Sequence, residues 1–129
     1  MTEAVLDASA VLALIFEEPG ADAVEQVVHG AAISAVNLSE VAAVIIHRGV
    51  PREEVETLLG GLYLNVIPFE TPAAFGAAAL RPSTRALGLS LGDRACLDLA
   101  KAMNRIAVTA DRAWLGLEDM LDIRIQAIR

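Results

Sequence analysis

The chain has 129 residues, 55% of them hydrophobic and only 4% aromatic, with 10 Lys and Arg against 17 Asp and Glu for a formal charge of −7. That length accommodates one domain, expected to span residues 1–129, with no room for a second core. The negative balance argues against a protein that grips nucleic acid through a broadly basic surface, the single cysteine Cys96 excludes a disulfide framework or a cysteine zinc site, and no apolar run is long enough for a membrane helix.

The apolar content is mostly Ala, Val, Leu and Ile, above the usual 45–50% or so, which points to apolar surface covered by a partner or a second copy. Met1-Thr2-Glu3 lacks the basic start of a signal peptide, so a cytoplasmic protein is expected.

Along the chain, short β-like runs alternate with longer helical ones, the rhythm of a parallel sheet covered by helices. Ala4-Val5-Leu6 is a strand running into Asp7. A helix over Ser9 to Glu18 ends at Pro19-Gly20, and a second runs from Ala21 to His29, stopped by Gly30. Ala31 to Val36 is the next strand, followed by a very apolar helix from Asn37 to Arg48. Pro51 opens another helix through Leu59. Leu62 to Pro68 reads as a strand, and Glu70 or Thr71 caps an Ala-rich helix to Leu80. Arg81 to Gly88 (Arg-Pro-Ser-Thr-Arg-Ala-Leu-Gly) reads as a loop. Gly92-Asp93 opens a helix to Asn104, Ile106 to Thr109 is a strand, and Asp111 starts a short helix containing Trp114. Ile123 to Ile128 alternates as an edge strand with one wet face.

The familiar phosphate-binding and nucleophile motifs are absent. There is no G-x-x-x-x-G-K-[ST], no G-x-G-x-x-G after a strand and no G-x-S-x-G, and His29 and His47 lack zinc spacing. The carboxylates remain. Asp7 and Asp111 each follow a strand and precede a helix, so each is either a helix cap or a group on the ligand-binding edge of an open parallel sheet. Asp93 lies in a first helical turn, where the helix dipole favours a carboxylate in any case. Glu40 is the most telling. It sits in an apolar helix with no Lys or Arg within four residues, so its carboxylate needs a partner or a cation. Asn37, one turn earlier, shares its face and is placed to orient it. Asp98 falls about 140° round the helix from Asp93 and reads as exposed or partner-facing. Oxygen ligands without Cys or His suit Mg²⁺ or Mn²⁺.

Four segments carry a family resemblance: Val5-Leu6-Asp7-Ala8-Ser9-Ala10, Ser34 to Val41 around Glu40, Leu89 to Leu97 around Asp93, and Val108 to Trp114 around Asp111. In order and interval the chain resembles the PIN-domain ribonucleases, and within them the VapC toxins of bacterial type II toxin–antitoxin pairs. The resemblance implies an α/β three-layer fold with a mostly parallel sheet of about five strands flanked by helices. It implies Asp7, Glu40, Asp93 and Asp111 as a catalytic, metal-binding quartet around Mg²⁺ or Mn²⁺, with Ser9, Asn37 and Thr109 in support. It further implies a homodimer, a cognate VapB-type antitoxin, and structured RNA such as tRNA or rRNA as substrate. Arg81, Arg85, Arg94 and Arg112 are the nearest candidates for phosphate contacts.

Two other classes compete. One is a binding protein working mainly through its antitoxin complex in operon autoregulation, for which the apolar helix Val11–Phe16 would serve as a docking face. The other is a phosphotransfer domain with Asp7 as nucleophile, like haloacid dehalogenase-type phosphatases. Those want a second Asp two residues on, where this chain has Ser9.

Overall fold

The computed structural model describes residues 3–129, so Met1 and Thr2 of the expected start lie outside the described residues. Five strands, β1 (Ala4–Leu6), β2 (Ala32–Ser34), β3 (Asn65–Ile67), β4 (Ile106–Thr109) and β5 (Ile125–Ala127), form one sheet in the order β3-β2-β1-β4-β5. Every pairing is parallel, in keeping with the mostly parallel sheet of about five strands expected. The strand order reverses direction at β1, which places the topological switch point, where such sheets bind ligands, between β1 and β4.

Alternation along the strands divides the core in two, as it must when both faces of a parallel sheet are covered. Ala4, Leu6, Ile33 and Val108 point to one face, where they pack with Val11, Val24, Val41 and Val55. Those partners come from or adjoin α1 (Ala8–Ile15), α2 (Ala21–Glu25), α3 (Ala35–His47) and α4 (Arg52–Gly60). Val5, Ala32 and Ala107 point to the other face, against Cys96, Leu97, Trp114 and Leu121. These belong to α7 (Leu91–Met103), a 3-10 segment (Arg112–Leu117) and α8 (Glu118–Leu121). The result is three layers. Among the described residues no helix is long and apolar enough to cross a membrane.

Several boundaries differ from the sequence reading, each for a local reason. The strand expected to reach Val36 stops at Ser34, whose Oγ accepts from the Val36 amide at 3.2 Å and so caps α3. The helix expected to reach His29 ends at Glu25 and continues as single turns, the Val27 amide bonding Val24 three residues back at 3.0 Å. Residues 81–88 are not a loop. They form α6 (Arg81–Thr84) and a 3-10 turn (Arg85–Leu87), which follow α5 (Thr71–Ala79). Pro82 is tolerated in a first turn, and buried Thr84 donates to the Leu80 carbonyl at 2.8 Å.

Two expectations about apolar helices also change. α3 is not buried all round: it buries one stripe, Asn37, Val41 and Ile45, and exposes Ile46 and His47. The helix at Val11–Phe16 is core rather than docking face, with Val11 and Ala13 fully buried and Leu12, Leu14, Ile15 and Phe16 packed against the same core. β5 is an edge strand with Ile125 buried and Gln126 exposed, as its alternation predicts.

Candidate active site

Asp7 leaves β1 at the switch point and its backbone amide is tied to the neighbouring strand, donating to the Val108 carbonyl at 2.9 Å. Its side chain is only 5% exposed. Two hydroxyls hold it: Ser9 Oγ donates to Asp7 Oδ2 at 2.6 Å and Thr109 Oγ1 donates to the same oxygen at 3.0 Å. Ser9 Oγ in turn accepts from the Ala110 amide at 2.9 Å, and Thr109 Oγ1 accepts from the Asp111 amide at 3.1 Å. The two hydroxyls therefore lock the end of β4 to the start of α1. Asp7 Oδ1 takes no hydrogen bond from any described residue.

Glu40 approaches from α3. Asn37, fully buried on the first turn, donates Nδ2 to Glu40 Oε1 at 3.0 Å and to the Gly92 carbonyl at 2.9 Å. Asn37 Oδ1 is buried without a partner. Gly92, at the start of α7, lies so close that a Cβ there would overlap the Glu40 carboxylate. One amide thus joins the two helices at the carboxylate they share.

Asp93 and Asp111 also serve as helix caps. Ser90 and Asp93 form a reciprocal capping box: the Ser90 amide donates to Asp93 Oδ2 at 3.0 Å and the Asp93 amide to Ser90 Oγ at 3.1 Å. Asp111 is exposed and caps the 3-10 segment, its Oδ1 accepting from the Ala113 amide at 3.0 Å. Sequence reasoning missed Ser90, although a Ser three residues before an acid is the signal of such a box.

The charges decide how these groups relate. Burial pushes the Asp7 carboxyl up from 3.8 to about 6, and Asp93 and Glu40 push the same way, against the two hydroxyls that hold it down. The buried Cys96 thiol is raised well above its ordinary value by burial and then by Asp7, Asp93 and Glu40. Glu40 and Asp93 thus both act on the charge of Asp7, and all three act on Cys96. Asp111 is not among the charges acting on Asp7 and is linked to it through Thr109.

No ion pair among the described residues involves any of the four acids. As the side chains stand, no three described His, Cys, Asp or Glu residues are grouped tightly enough to hold a metal ion, which is consistent with Asp93 and Asp111 being engaged in caps. The donor set nonetheless fits a hard cation. It offers a buried carboxylate with a free oxygen and two further acids that repel it, all oxygen donors.

Asp98 is set apart from this group. It is half-buried rather than exposed, pressed against Gly76 of α5 where a Cβ would overlap its carboxylate, and burial raises its pKa. The arginines divide likewise. Arg94 Nη1 donates to the Ala77 carbonyl at 3.0 Å and Arg112 Nη1 to the Arg129 carbonyl at 3.2 Å, so both are engaged within the fold. Arg81 and Arg85 remain exposed.

Residues 4–118 match the family model for the PIN domain. The chain belongs to the PIN-domain family. PIN domains are nucleases, which supports a hydrolase acting on nucleic acid. The fold is shared with a toxin–antitoxin complex from Klebsiella pneumoniae, at 20% identity over 98% of each chain with a TM-score of 0.77. It is shared also with a VapBC complex from nontypeable Haemophilus influenzae, at 15% identity over 97% of each chain and a TM-score of 0.71. A DNA-bound VapBC from Salmonella typhimurium aligns over 100% of both chains at 17% identity with a TM-score of 0.69. No curated protein matches the sequence.

Proposed function

We propose that this PIN domain is a metal-dependent endoribonuclease, the toxin of a VapBC-type toxin–antitoxin pair. The observation that carries the reading is the buried Asp7 carboxylate, facing Glu40 and Asp93 with no cationic side chain to balance them. Asp7, Glu40, Asp93 and Asp111 would hold Mg²⁺ or Mn²⁺, directly or through water. When bound, such an ion supplies positive charge to a phosphodiester and lowers the pKa of a water.

The chain's own residues do the rest. Ser9 and Thr109 hold Asp7 Oδ2 and leave Oδ1 without a hydrogen bond from a described residue. Asn37 holds Glu40 at the mouth of α7, placing a carboxylate that takes a proton from an attacking water. The substrate would be structured RNA, tRNA or rRNA. Cleavage of tRNA or rRNA by the purified chain should require Mg²⁺ or Mn²⁺, stop with chelator and be lost in Asp7→Asn. Metal-independent cleavage, or full activity in that variant, overturns the reading.

For the antitoxin, the supporting feature is a groove of about 550 Å³ lined by Leu38, Ala42, Ile46, Val55, Leu59 and Tyr63, beside the open edge of β3. Exposed Phe75 and Met120 are apolar surface available to a homodimer. The groove would equally serve a binder acting mainly through its antitoxin complex in operon autoregulation. The retained acids favour the enzyme.

A further inference from the structure

An acidic protein that cuts a polyanion needs cations near the cut, and most of this chain's cations are engaged elsewhere. Arg52, Arg124 and Arg129 pair with acids, Arg48 lies over the Phe16 ring, and Arg94 and Arg112 donate to carbonyls. Lys101 and Arg105 lie at or beyond the C-terminal end of α7, about 15 Å or more along the helix axis from Ser90. Arg81 and Arg85 are left.

Their place in the fold is well defined. The segment bearing them begins and ends beside the first turn of α7. At its start, the Ala77 carbonyl holds Arg94, the residue after Asp93, and Leu80 is buried in the second core. At its end, Leu89 is buried in the same core and Ser90 caps Asp93. Between these anchors Thr84 is buried and bonded back to Leu80, while Arg81 and Arg85 stand one helical turn apart and exposed. Gly88, with φ of 65°, turns the chain back into the α7 cap. Arg85 and Ser90 are five positions apart, a reach of at most about 18 Å. Residues 71–92 contain no acid, the longest such stretch in a chain with 17.

We infer that Arg81 and Arg85 are the substrate-binding pair, gripping the RNA backbone beside the acidic site of Asp7, Glu40 and Asp93. The inference rests on the nuclease reading above. The anchored segment acts as a short basic arm that offsets the repulsion between the acidic site and the polyanion.

The test uses the full chain with total tRNA as probe. Binding is measured in the Asp7→Asn background and cleavage in the otherwise unmodified chain with Mn²⁺. In R81A/R85A we expect KM to rise roughly fivefold to thirtyfold, with kcat moving less. The slope of log binding constant against log salt should fall by about 2, one for each lost phosphate contact. R81K/R85K should restore much of the binding, and Arg105→Ala should change neither quantity. An unmodified chain that cleaves tRNA while R81A/R85A binds it with the same slope and KM overturns the arm alone. An unmodified chain that neither cleaves nor binds with metal present overturns the nuclease reading and the arm with it.

Discussion

The Thr109 hydroxyl donates to Asp7 Oδ2 at 3.0 Å, joining residues 102 positions apart in the chain at the ends of the two switch-point strands. Parallel pairing of Leu6 with Val108 sets this contact, because it brings the residues that follow each strand to the same edge. Ser9 closes the arrangement from α1. A buried carboxylate held by two hydroxyls has its direction fixed but its charge uncompensated, and the expected behaviour of the protein follows from that combination.

Without metal, Asp7 should destabilise the fold at neutral pH. Its folded pKa of about 6 lies above the ordinary 3.8, so the folded state holds the proton more tightly. Its stabilising contribution is fully present below pH 3.8 and is lost as pH rises through about 6. The difference corresponds to about 3 kcal/mol at most. Asp7→Asn keeps an acceptor for Ser9 and Thr109 and removes the charge. In urea titrations with chelator present, the variant should be more stable than the parent by about 1–3 kcal/mol at pH 7.5. That advantage should shrink toward pH 4. A variant with the same advantage at both pH values would show that the Asp7 charge is not the cause.

Metal should reverse this ranking. An ion that binds only the folded state at a hundred times its Kd adds about 2.7 kcal/mol, roughly 10 °C in Tm for a domain of this size. Thermal scans with Mn²⁺ should show such a rise for the parent chain and little for Asp7→Asn or Asp93→Asn. Equal rises in all three would place the ion elsewhere.

Much of this was legible in the sequence because the determining signals are local. β1 and β4 were bounded correctly, since each is an apolar run ended by a polar residue, and their parallel pairing set Asp7 beside Thr109. Asn37 was placed beside Glu40 by helical spacing alone. What was not legible depends on the partner element. Gly92 reads as an ordinary helix-opening glycine until Glu40 arrives against it from α3, 52 positions away in the chain. Residues 81–88 carry loop composition, yet Leu80, Thr84 and Leu89 bury against the second core and draw the segment into helical turns. Asp98 looked solvent-facing because its close neighbour, Gly76, comes from α5.

Gly92 itself supplies a sharp test. An added Cβ would overlap the Glu40 carboxylate, the mobile end of a long side chain rather than backbone. Gly92→Ala should therefore displace Glu40 while leaving the fold intact, with a stability change within about 1 kcal/mol, because Ala also favours the helix. A misplacement of about 1 Å at a reacting group costs on the order of a hundredfold in rate. We expect RNA cleavage to fall by that order while Mn²⁺ still raises Tm. Unchanged cleavage would remove Glu40's position from the requirements of the reaction.

The hydroxyls of Ser9 and Thr109 should set the pH at which the site accepts metal. Both hydrogen bonds lower the Asp7 pKa against burial, so deleting either raises it further above its value of about 6. Metal needs the carboxylate form, and the acidic limb of metal binding should then move to higher pH. Thr109→Val preserves shape and removes one donor, but it also orphans the Asp111 amide. Ser9→Ala removes the other donor and orphans the Ala110 amide. Each should cost about 1 kcal/mol of stability. The discriminating measurement is the pH midpoint of the Mn²⁺-induced rise in Tm. A purely structural role lowers Tm at every pH and leaves that midpoint alone, whereas tuning of Asp7 moves it upward in both variants and furthest in the double variant.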